Sequence, residues 1–281
     1  MKNTMNLLAA AAVIATSFAG AAMAEVKKVT IATEGAFAPY NLTRADGTLD
    51  GYDVELGMHL CGQMKIECTF VAQPFDSSIP ALNAGKFDAI MSGMSKTAKR
   101  AEVIDFSEAY GRLPQAFATL STNSLANLKY TGETFSLATN MEGAQKVVDD
   151  VRADFKGKVA GVAVSTIAGA LVKNFLSDDV SIREYKTADE HDLDLKAGRV
   201  DFIVSSLAYL NALKEKPGYE NVKIVGPQFQ GGLLGPGIGI GFRKGETELK
   251  DMFDKAIAEA IADGTIKSLS EKWFNIDITP R

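Results

Sequence analysis

Serines and basic side chains crowd together in the stretch AIMSGMSKTAKRAEVIDFS at Ala89–Ser107. An apolar run ends in Ser92, Gly93 and Ser95, and Lys96, Lys99 and Arg100 follow. A Ser-x-x-Lys nucleophile and base need a lysine three residues after Ser92 or Ser95; those positions hold Ser95 and Ala98, so that arrangement is absent. The phosphate cradle G-x-x-x-x-G-K-[ST] is absent too. What remains is holding. Backbone N–H groups at a strand end, the hydroxyls of Ser92 and Ser95, and Arg100 all favour an anion, and arginine matches a carboxylate through two parallel hydrogen bonds. Thr97 can cap a short helix over Ala98–Val103. The plainer reading makes Arg100 a solvated helix charge, and this stretch alone does not separate the two.

Other candidates lie elsewhere. In TEGAFAPYN (Thr33–Asn41), Glu34 and Phe37 follow an apolar strand. A carboxylate in a cleft favours a cation, and Phe37 with Phe75 could sandwich a flat or cationic group, worth about 0.5–2 kcal/mol by cation–π contact. Either phenylalanine alone reads as core. GPGIGIG (Gly235–Gly241) invites a nucleotide-loop reading, but the Gly–Ile alternation predicts a strand instead. His59 and His191 are far apart and read as ordinary surface or boundary residues. Cys61 and Cys68 do not form a CxxC pair, and a metal site needs more ligands than they offer. No metal or cofactor is expected.

These residues need elements to position them. The 281-residue chain is 46% hydrophobic with a net charge of −5, enough for a core and unsuited to nucleic acid. Lys2, the apolar run Leu7–Phe18 and the small-residue site Ala21–Ala24 read as a secretory leader cleaved after Ala24. The run is shorter than the ~20 residues needed to span a bilayer. Export makes a Cys61–Cys68 disulfide plausible, tying a helix end to the next strand.

Beyond the leader, strand and helix patterns alternate: strands over Val26–Thr33, Ile66–Val71 and Phe87–Met91, and helices over Tyr52–Met64 and Ser77–Ala84. Near the end, helices over Glu246–Ala262 and Thr265–Phe274 are split at Asp263–Gly264, where glycine suits a helix C-cap. One echo organises the whole. ALNAGKFDAIMSG (Ala81–Gly93) and DLKAGRVDFIVSS (Asp194–Ser206) share Leu-x-Ala-Gly-basic-x-Asp-x-Ile-x-Ser. Each reads as a helix end, a glycine stop and a strand ending in small residues. Ligands of open α/β sheets sit beyond the carboxyl ends of strands, so Ser92–Gly93 and Ser205–Ser206 are expected to face one cleft from two lobes. The turn-rich segment Ser121–Phe155 reads as an excursion of the second lobe.

Together, IATEGAFAPYN, GTLDGYDVELGMHLCGQMKIECTFV, FDSSIPALNAGKFDAIMSGMSKTAKRAEVIDFSEAY, DLKAGRVDFIV and ADGTIKSLSEKWF resemble the periplasmic substrate-binding proteins of the polar amino acid class, across essentially the whole mature chain. ATEG, DAIM and GGLLGPGIGIGFRK (Gly231–Lys244) make it similar to the octopine- and nopaline-binding members, alongside the lysine/arginine/ornithine- and histidine-binding ones.

The resemblance implies an α/β fold of two lobes (a type II periplasmic binding protein), joined by two crossing hinge segments and closing around a ligand. The lobes are expected at 25–112, 113–223 and a return at 224–281. The resemblance puts the carboxylate clamp on Arg100 and strand-end contacts on Ser92, Gly93 and Ser95. Aromatic walls fall on Phe37 and Phe75, the acidic reader of the ligand side chain on Glu34, and a helix-start contact on Thr166. Where amino-acid binders of the class hold the ligand's primary ammonium with an aspartate, this chain has Ser206, as the nopaline-type proteins do. An opine has a secondary amine beside a second carboxylate and needs no such aspartate. The expected protein is thus the monomeric, periplasmic ligand carrier of an ABC importer, docking on a membrane permease and taking an opine. A free basic amino acid is the alternative. A dehydratase on the same fold is a further one and needs a general acid or base, for which Glu34 is the one nominee.

Overall fold

The computed structural model describes residues 28–280; the expected leader lies outside them. Two sheets carry the molecule. The first has the strand order Glu67–Ala72, Lys28–Thr33, Ala89–Ile90, Ile238–Phe242, Asp105–Gly111. The second runs Val180–Tyr185, Lys158–Ala163, Phe202–Ser206, Gln115–Leu120, Val222–Gln230, Thr134–Ser136. Helices pack on both, each with its own apolar core. The fold is the two-lobed α/β architecture implied by the sequence.

The echoed motif explains much of this construction. Its helices, Ser78–Asn83 and Ala188–Lys196, stop before Gly85 and Gly198, whose φ values of +74° and +67° a side chain would strain. Its aspartates do one job twice. Asp88 Oδ2 accepts the Thr30 N–H at 2.9 Å, and Asp201 Oδ2 accepts the Val159 N–H at 2.8 Å. Each fastens the entry of its strand to the neighbouring parallel strand, fixing where the strand's far end emerges. The far ends carry Ser92 and Ser205–Ser206.

The chain passes between the sheets at residues 112–114 and again at 231–237. The second passage comes later than the expected 223/224, because Val222–Gln230 belongs wholly to the second sheet. Gly226–Pro227 resembles a turn in sequence, yet it sits at a register irregularity between Val225 and Phe229 within the strand. The Gly–Ile alternation forms the strand Ile238–Phe242, as expected.

Cys61 and Cys68 are bonded and join the helix Tyr52–Met64 to the strand Glu67–Ala72. Their sequence separation is 7. Closing so short a loop contributes about 2–3 kcal/mol in the chain-entropy model. Cys61→Ala/Cys68→Ala is expected to lower unfolding stability by that amount in denaturant titration while leaving ligand affinity unchanged, since neither cysteine reaches the cleft. An unchanged unfolding midpoint contradicts this.

Candidate ligand-binding site

Between the two sheets' strand ends lies a cleft enclosing about 1000 Å³, including its open mouth. All nine residues named from the sequence line it: Glu34, Phe37, Phe75, Ser92, Gly93, Ser95, Arg100, Thr166 and Ser206.

On the first lobe, the Ser92 hydroxyl accepts the Glu34 N–H at 2.9 Å, locking two strand ends together. Gly93 has φ +57°, and a Cβ there would meet the Phe37 ring at 3.4 Å. The positive φ accounts for this glycine, since a Cβ would make only ordinary contact with the ring. Behind it, the fully buried Asp53 accepts from Tyr110 Oη at 2.8 Å and Asn41 Nδ2 at 2.9 Å, and the Gly93 backbone bonds to it as well. Burial pushes the Asp53 carboxyl up to about 7, against the pull of those hydrogen bonds.

Thr97 caps the short helix Ala98–Ala101, and Arg100 folds back into the cleft. Its Nη1 donates to the Ser95 carbonyl at 2.9 Å, and its Nη2 reaches across to the Ser165 carbonyl at 2.8 Å. The guanidinium lies 5.3 Å from the Phe75 ring centroid. Burial lowers its pKa to about 10, so it stays charged at neutral pH. No carboxylate pairs with it among the described residues. A charge removed from water with only carbonyl and aromatic partners is a site for an anion.

Among the described residues, Glu34 is the one carboxylate lining the cleft. Burial, then the charges of Asp189 and Asp76, raise its carboxyl to about 7. A bound cation reverses that shift.

The expected Phe37/Phe75 sandwich is not built. Phe37 stacks on Tyr40 (centroids 5.0 Å, planes 6° apart) and on Tyr209 of the second lobe (4.9 Å, 13°). The ring joins the lobes with its faces engaged, while Phe75 lies against Arg100.

On the second lobe, Thr166 caps the helix Ile167–Phe175, accepting the Gly169 N–H at 3.2 Å. Ser206 caps Leu207–Glu215, accepting the Tyr209 N–H at 3.2 Å. Both helices thus begin at the cleft wall, where their free N–H groups and dipoles favour negative charge.

Several lining residues escaped the sequence reading. His191 is a correction: it is 1% exposed, not a surface residue, and lines the cleft. Its Nδ1 lies 3.0 Å from Asp192 Oδ1, in a geometry that forms no hydrogen bond. Tyr40, Gln115, Arg112, Lys186 and Gln230 also line the cleft. Gln115 and Arg112 were detectable only through their place at the first crossing. The described residues include no metal-ligand cluster and no helix long and apolar enough to cross a membrane.

Comparison with known proteins identifies the family and the fold. The model of the bacterial extracellular solute-binding proteins, family 3, matches residues 29–276. The octopine-binding periplasmic protein of Rhizobium meliloti is 42% identical over 280 residues, spanning 93% of this chain and 95% of the relative. The L-arginine-binding protein of Pseudomonas aeruginosa is 35% identical over 256 residues, spanning 90% of each. Among solved structures, an ancestral arginine-binding protein bound to arginine superposes with a TM-score of 0.74 at 29% identity, covering 88% of this chain and 98% of that one. A periplasmic His/Glu/Gln/Arg/opine family-binding protein from Silicibacter pomeroyi, in complex with lysine, gives 0.72 at 29% identity, covering 89% and 99%.

Proposed function

The chain belongs to family 3 of the bacterial extracellular solute-binding proteins, and we propose that it carries an opine of the octopine type to an ABC importer. One observation carries the choice of ligand. The cleft's sole carboxylate, Glu34, is on the first lobe, while the wall formed by Ser205, Ser206 and Gln115 carries none. A primary α-ammonium against that wall is buried without an anionic partner, which costs several kcal/mol by desolvation. An opine brings its own second carboxylate to that place. The relative named for octopine supports the same reading.

In this reading the residues act as follows. Arg100 holds one carboxylate of the ligand through its remaining N–H groups. Glu34 holds the guanidinium at the other end, beside the edge of Phe37. Ser92, Ser95 and the Gly93 backbone shape the first wall, and the helix start at Thr166 faces a carboxylate. Residues 28–111 and 238–280 form one lobe, residues 115–230 the other, and the two close on the ligand. The mature, monomeric protein begins after Ala24, works in the periplasm and releases its ligand unchanged to the permease.

A thermal-shift screen with octopine, nopaline, arginine, lysine, ornithine and histidine tests the reading. A ligand stabilises by RT ln(1 + [L]/Kd), so at equal concentrations the opines are expected to raise Tm most. A larger shift from arginine or histidine contradicts the choice.

A further inference from the structure

Three nearly parallel rings cross the gap between the lobes. Tyr40 and Phe37 of the first lobe stack with centroids 5.0 Å apart, and Phe37 and Tyr209 of the second lobe with centroids 4.9 Å apart. Both spacings fall in the offset-stacked range that aromatic pairs prefer. Tyr40 in turn leans on Phe274 at 4.7 Å, the last residue of the first-lobe helix Thr265–Phe274. The row of rings therefore starts in one lobe's core and ends in the other's. The aliphatic packing interleaves in the same way. Phe37 packs against the second-lobe cluster that holds Tyr209, Leu210 and Leu213, while Ala208 belongs to the first-lobe cluster.

Tyr209 is held in place by its own lobe. It is buried, its hydroxyl donates to Asp192 Oδ2 on the helix Ala188–Lys196, and its backbone N–H donates to Ser206 Oγ at 3.2 Å. The His191 ring meets it edge-on at 6.3 Å. Lys216 Nζ, paired with Asp189 at 3.2 Å, lies 5.7 Å from its ring centroid. A ring pinned at its hydroxyl and its backbone keeps one orientation, so the face it presents to Phe37 is fixed before the lobes meet. Tyr209 itself does not line the cleft. Its effect on a ligand passes through Phe37, which does.

We infer that Tyr209 is a positioning residue for lobe closure: stacked on Phe37, it forms a latch through which the protein itself, and not its ligand alone, holds the two lobes together. Opening the hinge separates Phe37 from Tyr209 and puts two aromatic faces into water; closing removes them from water again. The latch therefore biases the open–closed equilibrium toward the closed form whatever the cleft contains. The Arg100–Ser165 hydrogen bond crosses the same gap and acts in the same direction, but Arg100 serves the ligand as well, whereas Tyr209 serves closure alone. The inference goes beyond the opine reading and does not depend on it, because the latch lends the same factor to any ligand that the lobes enclose.

Two measurements on the mature protein test it, with Tyr209→Leu, Phe37→Leu and the double variant. In small-angle X-ray scattering without ligand, each variant is expected to show a larger radius of gyration than wild type, and the double variant no larger a value than the single ones. In stopped-flow kinetics, octopine and L-arginine are expected to leave Tyr209→Leu about 2- to 10-fold faster than wild type, the range that one stacked pair corresponds to. The factor is expected to be the same for both ligands, with association as fast as in wild type or faster. Tyr209→Phe keeps the ring and is expected to stay within twofold of wild type. In the Phe37→Leu background, Tyr209→Leu is expected to add nothing, since the pair is already broken. If Tyr209→Leu does not fold, as a thermal melt will show, Phe37→Leu reads the same stack from the first lobe. An unchanged radius of gyration, an unchanged dissociation rate or a loss confined to one ligand overturns the assignment. So does a loss in Tyr209→Phe as large as in Tyr209→Leu, which would put the effect in the hydroxyl instead of the ring. Wild-type protein that binds neither ligand contradicts the ligand proposed above but not the latch, and the scattering then decides alone.

Discussion

Arg100→Ala is expected to abolish measurable ligand binding in calorimetry while leaving the protein folded. The guanidinium is half-buried by surface area, enclosed between the Ser95 and Ser165 carbonyls and the Phe75 ring, and has no carboxylate partner among the described residues. Two of its N–H groups go to those carbonyls, which leaves three donors for a ligand. Each charge-assisted hydrogen bond to a ligand carboxylate contributes about 1.5–3 kcal/mol. Losing a pair corresponds to roughly 10²–10⁴-fold in Kd. The substitution also removes the contact to Ser165, which bridges the two lobes, so closure is weakened together with recognition. Stability of the ligand-free protein is expected to change little or to rise, since an uncompensated cation is removed from the interior. Arg100→Lys keeps the charge but lacks the planar fork, and an intermediate loss is expected. Affinity for octopine within threefold of wild type in Arg100→Ala contradicts the carboxylate-clamp role.

Glu34→Gln is expected to produce the second-largest loss, about 100-fold or more, and to change the pH dependence. Burial, Asp189 and Asp76 raise the Glu34 carboxyl to about 7 in the ligand-free protein. Only the ionised form holds a guanidinium by charge, so affinity for a guanidinium ligand should climb as pH rises through about 7 and level off above it. In Glu34→Gln that step is absent. Folding stability moves the other way. A carboxyl whose pKa is higher folded than unfolded contributes stability that is present below its ordinary value near 4.5 and lost as pH rises to about 7. Ligand-free Glu34→Gln should therefore melt above wild type at pH 8, with the difference shrinking toward pH 5. Asp53 titrates in the same window in both proteins, so the difference between them isolates Glu34. A wild-type affinity that is flat between pH 6 and 8, or a step that survives in Glu34→Gln, contradicts the role.

The parts of this site legible in the sequence are those set by local chemistry. Helical spacing gave Tyr52–Met64 its observed bounds, and the echoed Ala-Gly-x-x-Asp motif located both strand ends, because glycine stops and strand-fastening aspartates are short-range devices. Ser92 followed from those positions, whereas the roles of Glu34 and Arg100 came from the family resemblance. What stayed hidden depends on contacts between lobes. Nothing near Phe37 announces that Tyr209, 172 residues on, will cover one of its faces. His191 read as a surface or boundary residue because polar side chains are mostly exposed, yet it is buried and lines the cleft. Nothing in the sequence singled out Gln115, whose pairing with Ser206 places it in the wall. The strand Val222–Gln230 carries Gly226 and Pro227, and the neighbouring strands hold that segment in the second sheet.

The central claim is that the charge pattern of this cleft, Arg100 and Glu34 set against a wall without a carboxylate, selects an opine over the amino acid from which it is built. Competition calorimetry tests it most directly: the wild-type mature protein is saturated with L-arginine at pH 8, where Glu34 is ionised, and titrated with octopine. Octopine is predicted to displace arginine and to bind at least tenfold more tightly. Failure to displace it, or tighter binding of arginine, would contradict the account.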